Sequence, residues 1–266
     1  MTTAQTMLKE PLRRGLRAVA LALAGALALA GCARKEPRLI MPTAIVAPYD
    51  ASHGEPLLAV VPLRNESGTT AADVLEVTDR VVAAASQVRG LRVLPLNRTL
   101  AAMRSLNMAD LASPADARML AQQLGADALI VGSITAYDPY NPPKLGLALA
   151  LYIRPGALSQ PGTADMDPRR LRYQPTEYQH FPRSRSHEAP ASVVSVYLDG
   201  KNHQVQADLR EYAAGRHDPM AALGWQRFLT SMDLYGEFAA WHTVQRLIDH
   251  EWVRLTGSQP AREKKK

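Results

Sequence analysis

The segment SPADARMLAQQLGADALIVGSITAY, residues 113–137, decides the fold of this 266-residue chain. It opens with Ser113 and Pro114 and carries Asp116 at the third helical position, a combination that predicts a capped helix start. Gly125 predicts the left-handed residue that ends the helix. The apolar residues after it predict a buried strand. A helix that leads directly into a buried strand is typical of an α/β domain.

The residues before this segment show the same alternation of strands and helices. LLAVVPL, residues 57–63, predicts a strand because it is apolar and contains β-branched residues. A helix is predicted over 71–88, where valine and alanine recur at spacings of three and four. LRVLP, residues 91–95, predicts a second short strand, and Asn97 is expected to cap the next helix.

Two further strands are predicted after the deciding segment. In KLGLALALYI, residues 144–153, leucines alternate with other residues, which is the period of a strand. ASVVSVYLDG, residues 191–200, predicts a strand that enters a turn. The expected fold class is therefore α/β: a three-layer strand-helix-strand-helix-strand domain with a mixed sheet, followed by a C-terminal amphipathic helical segment.

The C-terminal segment holds all three tryptophans of the chain. Its large apolar residues step by threes and fours, which predicts a long helix packed on the sheet. These residues are Leu234, Phe238, Trp241, Val244, Ile248, Trp252 and Leu255. The opposite, polar face is expected to carry His242, Arg246, Asp249 and His250. A helix exposed for a partner is the alternative interpretation.

Residues 1–31 have the layout of a secretory signal peptide. Four basic residues precede an apolar run over 18–30 that ends in small residues. The run is shorter than the roughly 20 residues that a membrane-spanning helix needs. The basic residues are Lys9, Arg13, Arg14 and Arg17. A short membrane anchor or a buried helix is the alternative.

Cys32 is the only cysteine of the chain, and it follows Leu29-Ala30-Gly31. This sequence resembles a bacterial lipobox. The resemblance implies cleavage between Gly31 and Cys32 and acylation of the new N-terminal cysteine, which anchors the protein to a membrane through fatty-acid chains such as palmitate. Ala33 in place of aspartate implies the outer membrane, with the protein facing the periplasm. A free thiol with a redox role is the alternative.

The formal net charge of +6 does not indicate a nucleic-acid partner. The leader and the tail AREKKK each hold four basic residues and one acid, so the chain between them is neutral. A nucleic-acid-binding protein carries its positive charge on a folded face. The run 264–266 could contact anionic lipid headgroups, but a solvated terminus is the simpler interpretation.

The residues with reactive side chains form no recognisable catalytic or cofactor motif. The chain has no phosphate-binding glycine loop and no zinc-protease motif, and VGSIT lacks the second glycine of a nucleophile elbow. His180 and His187, with Glu177 and Glu188 nearby, form a weak metal-site candidate, although solvated loop histidines explain them better. No catalytic residue, cofactor or metal is predicted, and the chain is expected not to be an enzyme.

Several motifs together resemble a family of bacterial lipoproteins. In LLAVVPLRNESG, Pro62, Asn65 and Gly68 match the first element of the family pattern, with Leu63 in place of phenylalanine. Residues 124–127 and 131–133 match its Leu-Gly-Ala-Asp and Val-Gly-Ser elements. The pattern is that of the curli-secretion lipoproteins (CsgG-like), the lipoprotein activator of a peptidoglycan synthase (LpoB-like) and the N-terminal domain of TolB.

This resemblance covers residues 56–153 and implies a non-enzymatic binding or assembly module for a cell-envelope protein. Two alternatives remain open: an oligomeric CsgG-like export channel that would use KLGLALALYI, and an envelope hydrolase with an unrecognised site, such as His180 or Glu188. The expected segments are a signal peptide (1–31), a lipidated tether (32–55), the core domain (56–153), an exposed Pro/Arg-rich loop (154–190), a strand with C-terminal helices (191–256) and a basic tail (257–266).

Overall fold

The structure, a computed structural model, describes residues 41–49, 54–154, 158, 189–218 and 220–256. The chain divides into two units, 1–39 and 40–266, and every described residue belongs to the second. The strands are β1 Leu57–Val60, β2 Arg64–Asn65, β3 Arg92–Val93, β4 Ala128–Asp138, β5 Lys144–Ile153 and β6 Ser192–Asp199. The helices are α1 Val74–Ser86, α2 Leu96–Ser105, α3 Pro114–Leu124, α4 His203–Ala213, α5 Arg227–Thr230 and α6 Met232–Thr256, with a 3₁₀ turn at Gly224–Gln226.

One mixed sheet contains all six of these strands. Its order is β3-β1-β4-β5-β6, and β2 pairs with the later part of β4. β1 runs parallel to β3 and β4, and β2 is also parallel to β4. The two long pairings, β4 with β5 and β5 with β6, are antiparallel. The predicted α/β class with a mixed sheet is confirmed.

The deciding segment folds as predicted. The Ser113 hydroxyl accepts a hydrogen bond from the Asp116 amide at 3.2 Å, and the Asp116 carboxylate accepts one from the Ser113 amide at 2.8 Å. Gly125 then ends α3 with φ of 63°, a backbone conformation that glycine adopts without strain. Asp127 joins the helix to the sheet, because its carboxylate accepts from the Leu57 amide at 2.9 Å.

Helices cover the two faces of the sheet unequally. On one face, α1, α4 and α6 bury the leucines of β5 together with residues of β1, β4 and β6 in one large core. On the other face, α2 and α3 cover a smaller core that includes Ala59, Val61 and Leu129. Because α2 and α3 pack on β1 and the first part of β4, the second helical layer is incomplete over β5 and β6.

The C-terminal stripe forms the predicted helix, but its polar face differs from the expectation. Phe238, Trp241 and Val244 are buried as expected. His242 and Asp249 are also buried, although they were expected on an exposed face. The reason is that α6 contacts both α1 and the sheet, so more than one stripe of the helix is covered.

Two local expectations were wrong. Asn97 does not cap α2, because Pro95 is the residue before that helix. The strand predicted over 57–63 ends at Val60, since the chain leaves β1 before β2 begins. The segment 144–153 forms β5, which pairs with β4 on one side and with β6 on the other, and its four leucines lie in the core. The export-channel alternative for this segment stays a prediction.

The segment 45–49 belongs to the folded unit and not to a tether. Ile45, Ala47 and Tyr49 are buried in the larger core. Val46, which lies between Ile45 and Ala47, forms a parallel bridge with Arg89. The Val46 carbonyl also accepts a hydrogen bond from the Trp252 indole at 2.8 Å. Apart from 154, 158, 189 and 190, the predicted Pro/Arg-rich loop lies outside the described residues, as do the signal peptide and the tail.

Candidate binding face

The face of β5 and β6 that α2 and α3 leave uncovered is the candidate functional site. On β5 it carries the small, partly exposed residues Ala148 and Ala150, and on β6 it carries Val193, Ser195 and Tyr197. The pairing register places Ala150 beside Val193 and Ala148 beside Ser195. We call these five residues the open sheet face.

Two large apolar side chains on this face contact solvent. Val193 is 53% exposed and Tyr197 is 59% exposed. The alternate residues of the same strand, Val194 and Leu198, are buried beneath the helices of the other face. The strand therefore carries apolar side chains on both sides of the sheet, and the described residues cover only one of the two sides.

A cleft of about 320 Å³ lies at the border between the open sheet face and α3. Its floor includes Ser133, Ala148 and Ala150, and the start of α3 forms one wall. Other lining residues are Arg64, Glu66, Leu111, Ala112, Ser113, Pro114, Ala117, Val131, Gly132, Leu149, Tyr152 and Val193. The cleft is lined mainly by apolar and small side chains, with one cation and one anion at its mouth.

Hydrogen bonds fix the wall of this cleft. Arg64 pairs with Asp110, with Nε and Oδ2 2.6 Å apart, and its guanidinium also donates to the Leu111 carbonyl at 2.6 Å. The capping box at Ser113 holds the following turn. Both α3 and β2 are thus tied by hydrogen bonds to the loop between α2 and α3.

Charged residues lie at one end of the open sheet face. The Lys144 amine is 4.0 Å from Asp138 and 3.9 Å from Asp199. These charged residues lie at the end of the face where β4, β5 and β6 join their connecting turns. They leave the middle of the face, around Ala148, without a charged side chain from β5 or β6, so the face itself is suited to apolar contacts.

A second polar cluster lies in the interior, on the other side of the sheet. The fully buried Glu251 accepts hydrogen bonds from the Tyr49 hydroxyl at 3.0 Å, from the Ser192 hydroxyl, and from Arg254 at 2.8 and 2.6 Å. Burial, and next the Glu251 carboxylate, raise the pKa of Tyr49. The Glu251 hydrogen bond is the main cause that raises the pKa of Arg254. The cluster joins three parts of the chain.

The histidines that the structure places are separate from one another. His217 Nδ1 lies 2.6 Å from the Ala213 carbonyl, and His250 Nδ1 lies 3.1 Å from the Val193 carbonyl. His242 packs against the Phe238 ring, with centroids 5.7 Å apart. Within the described ranges, no group of three or more His, Cys, Asp or Glu could hold a metal ion.

The site residues that the sequence predicted do not lie on the open sheet face. Gly31 and Cys32 lie outside the described residues, as do His180, His187, Glu177 and Glu188. The open sheet face was not predicted. The signal for it was present in KLGLALALYI, where leucine alternates with glycine and alanine, and in the valine and tyrosine at alternate positions of ASVVSVYLDG.

None of the described helices is long and apolar enough to cross a membrane.

No known protein family matches the chain, and no curated protein matches it. Solved structures with partial similarity include the LpoB C-terminal domain from Salmonella enterica, which is 16% identical, with 44% of this chain and 81% of that chain covered and a TM-score of 0.33. Lipoprotein GNA1162 from Neisseria meningitidis is 19% identical, with 44% and 90% covered and a TM-score of 0.32.

A hypothetical protein, CT253 from Chlamydia trachomatis, is similar over more of the chain. It is 12% identical, with 76% of this chain and 95% of that chain covered and a TM-score of 0.32. All three TM-scores are low, so neither a family nor a function follows from these similarities.

Proposed function

We propose that this protein is a lipid-anchored envelope lipoprotein that binds a protein partner through the open sheet face and performs no catalysis itself. The observation that carries the proposal is the incomplete helical layer: α2 and α3 cover one half of the sheet face, and the described helices leave β5 and β6 uncovered beside them. On the other face, the leucines of β5 are buried together with Val194 and Leu198 of β6.

A helix of the partner fits the uncovered area. In a three-layer domain each sheet face is buried by helices, and the space beside α3 lies in the layer that a further helix would occupy. Ala148 and Ala150 have short side chains, so a helix could approach the sheet closely along this part of β5. Val193 and Tyr197 would flank it and lose their exposure to water, which stabilises the complex by about 25 cal/mol for each Å² of apolar area buried.

The chemistry of the cleft supports binding over catalysis. Its lining includes no histidine or cysteine, the side chains that most often serve as base or nucleophile. Of its two serines, Ser113 has its hydroxyl engaged by the cap of α3. An envelope hydrolase would need a nucleophile and a base within hydrogen-bond distance of each other.

The anchor in this proposal is Cys32, which follows the lipobox-like Leu29-Ala30-Gly31. Acylation there would hold the protein at the outer membrane, facing the periplasm. Two or more acyl chains give stable anchoring, whereas one chain does not. The residues between Cys32 and the buried Ile45 would then connect the lipid to the domain.

Site-specific photocrosslinking in cells tests the proposal. A photoreactive amino acid placed at Ala148, in the middle of the open sheet face, is expected to capture one discrete envelope protein. The same group at Leu75 serves as the control, since Leu75 is an apolar residue with 49% exposure on α1, which packs on the opposite face. Equal capture from both positions would contradict the assignment of the face.

Purified proteins then provide a quantitative test. Ala148→Arg places a charge where the partner helix would pack, and we expect the dissociation constant for the captured protein to rise about tenfold or more, which corresponds to about 1.4 kcal/mol. Leu75→Arg is expected to leave it unchanged, with both variants unfolding at the wild-type temperature. A partner that binds the Ala148→Arg protein with wild-type affinity would overturn the proposal.

A further inference from the structure

The two edges of the sheet differ in how well they are protected. β3, at one edge, has only two residues, and one of them is the exposed Arg92. β6, at the other edge, has eight residues, SVVSVYLD, without proline, glycine or any charge before Asp199. Natural proteins protect exposed edge strands with charges, prolines, bulges or short length. β6 has none of these features along 193–198.

Within the described part of the chain, the main-chain groups of β6 that have no strand partner belong to the same residues that form the open sheet face. The Gly200 amide donates to the Pro143 carbonyl of the β5 side at 2.9 Å, so the main chain of even-numbered residues faces β5. In an antiparallel pair alternate residues point to opposite sides, which directs the amides and carbonyls of Val193, Ser195 and Tyr197 away from the sheet. The Val193 carbonyl does face outward, toward His250.

We propose that two copies of this chain pair through β6, antiparallel to each other, with Ser195 on the two-fold axis. In this register Ser195 lies opposite Ser195 of the second copy, and Val193 lies opposite Tyr197. A β-branched residue opposite an aromatic one is a favourable cross-strand pair, and the two-fold axis forms it twice. Three residue pairs would exchange six main-chain hydrogen bonds.

The charges of β6 agree with self-pairing in this register. Asp199 would lie opposite Ala191, so no like charges face each other across the new strand pair. Moving the axis to Tyr197 would place Asp199 opposite Ser195 and lose both Val193–Tyr197 pairs. Moving it to Val193 would pair Tyr197 with residue 189, beyond the strand. The axis at Ser195 is therefore the register that uses all three outward-facing residues.

His250 is compatible with this pairing. Its Nδ1 lies 3.1 Å from the Val193 carbonyl at the strand edge. A carbonyl oxygen has two lone pairs, so Val193 can accept from His250 and from an amide of the second copy together. His250 thereby lies at the Val193 end of the paired stretch.

The dimer would place two binding faces on one side of the assembly. The two-fold axis of an antiparallel strand pair runs perpendicular to the sheet, so both open sheet faces would point in the same direction. This pairing uses the strand edge, whereas the proposed partner helix uses the sheet face. The dimer therefore does not depend on the proposed function and can be tested without any partner.

Engineered cysteines test the register in the full chain. Cys32→Ser is used as the background, because Cys32 is the only native cysteine. In a hydrogen-bonded antiparallel pair the Cα atoms lie about 5.5 Å apart, within the range that a disulfide spans. Ser195→Cys is therefore expected to form a covalent dimer on mild oxidation.

Val193→Cys and Tyr197→Cys provide matched controls at the same edge. Each thiol would lie about 14 Å from its own symmetry copy, at about 3.4 Å per residue along the strand, so neither variant alone is expected to crosslink. A mixture of the two is expected to form a covalent heterodimer, because these positions face each other. Crosslinking of Val193→Cys alone as fast as that of Ser195→Cys would overturn the register.

Light scattering of the unoxidised background protein tests the dimer itself. The expected mass is that of two chains. Ser195→Pro is expected to raise the dimer dissociation constant about tenfold or more. The reason is that proline lacks the amide hydrogen that Ser195 would donate to the second copy. Ser195→Lys tests the same contact if the proline variant does not fold. The proposal would be overturned if the background protein stayed monomeric at all concentrations and Ser195→Cys formed no crosslink. The β6 edge would then be open to an extended segment of another protein.

Discussion

Glu251 is the residue at which three distant parts of the chain meet. It receives hydrogen bonds from Tyr49 near the N-terminal end of the domain, from Ser192 at the start of β6, and from Arg254 on its own helix. The carboxylate is fully buried, so it stabilises the fold only while these donors are present. Sequence spacing could not predict the cluster, because 202 residues separate Tyr49 from Glu251.

Replacing Glu251 with alanine is expected to destabilise the protein by about 3 kcal/mol or more, because the buried donors lose their acceptor. Urea unfolding followed by circular dichroism measures the change. Asp110→Asn is the control: its ion pair with Arg64 is half exposed, and such pairs contribute about 1 kcal/mol or less. Equal losses for the two variants would show that the Glu251 cluster does not hold the domain together.

At the scale of elements, the structure of α3 follows from local signals and that of β5 does not. Ser113, Pro114, Asp116 and Gly125 act within one or two turns of each other, so their pattern predicts both ends of the helix. The alternation in β5 predicts a strand and its two faces. It does not show which face is covered, because that depends on where α3 and α6 pack. The expected Asn97 cap failed because the helix already begins at Leu96, directly after Pro95.

Ser113→Ala tests the local control of α3. Removing the capping hydroxyl is expected to cost about 1 kcal/mol, measured as a lower urea midpoint. Ser86→Ala is the matched control, since the Ser86 hydroxyl bonds to the Val82 carbonyl inside α1 and caps no helix start; a change within about 0.5 kcal/mol is expected. A neutral Ser113→Ala variant would mean that packing alone fixes this end of α3.

At the scale of the whole molecule, the proposed roles depend on the open sheet face, the β6 edge and the lipid anchor. The open sheet face would bind the partner helix, the β6 edge would bind a second copy, and the lipid at Cys32 would attach the chain to the membrane. The anchor rests on sequence alone, whereas the face and the edge rest on tertiary structure. The face and the edge share Val193, Ser195 and Tyr197, whereas the anchor can be altered without changing either of them.

Cys32→Ala tests the anchor. Without the thiol no acyl chain can be attached, so the protein is expected to move from the membrane to the soluble fraction on cell fractionation. Mass spectrometry of the wild-type N-terminal peptide is expected to show the added acyl groups on Cys32. As a matched variant, Ala33→Asp is expected to stay acylated but to fractionate with the inner membrane. Membrane attachment of Cys32→Ala would refute the lipobox interpretation.

The sequence by itself determined the α/β class, the limits of α3, the long C-terminal helix and the lipobox-like segment, because each is a pattern of neighbouring residues. Tertiary structure decided which face of β5 and β6 stays open, that His242 and Asp249 are buried, and that Tyr49 belongs to the core. These features depend on which elements pack against each other across the sheet. The candidate binding face is among them: it is the part of the sheet that the described helices leave uncovered, and no local pattern of residues predicts which part of a sheet the helices cover.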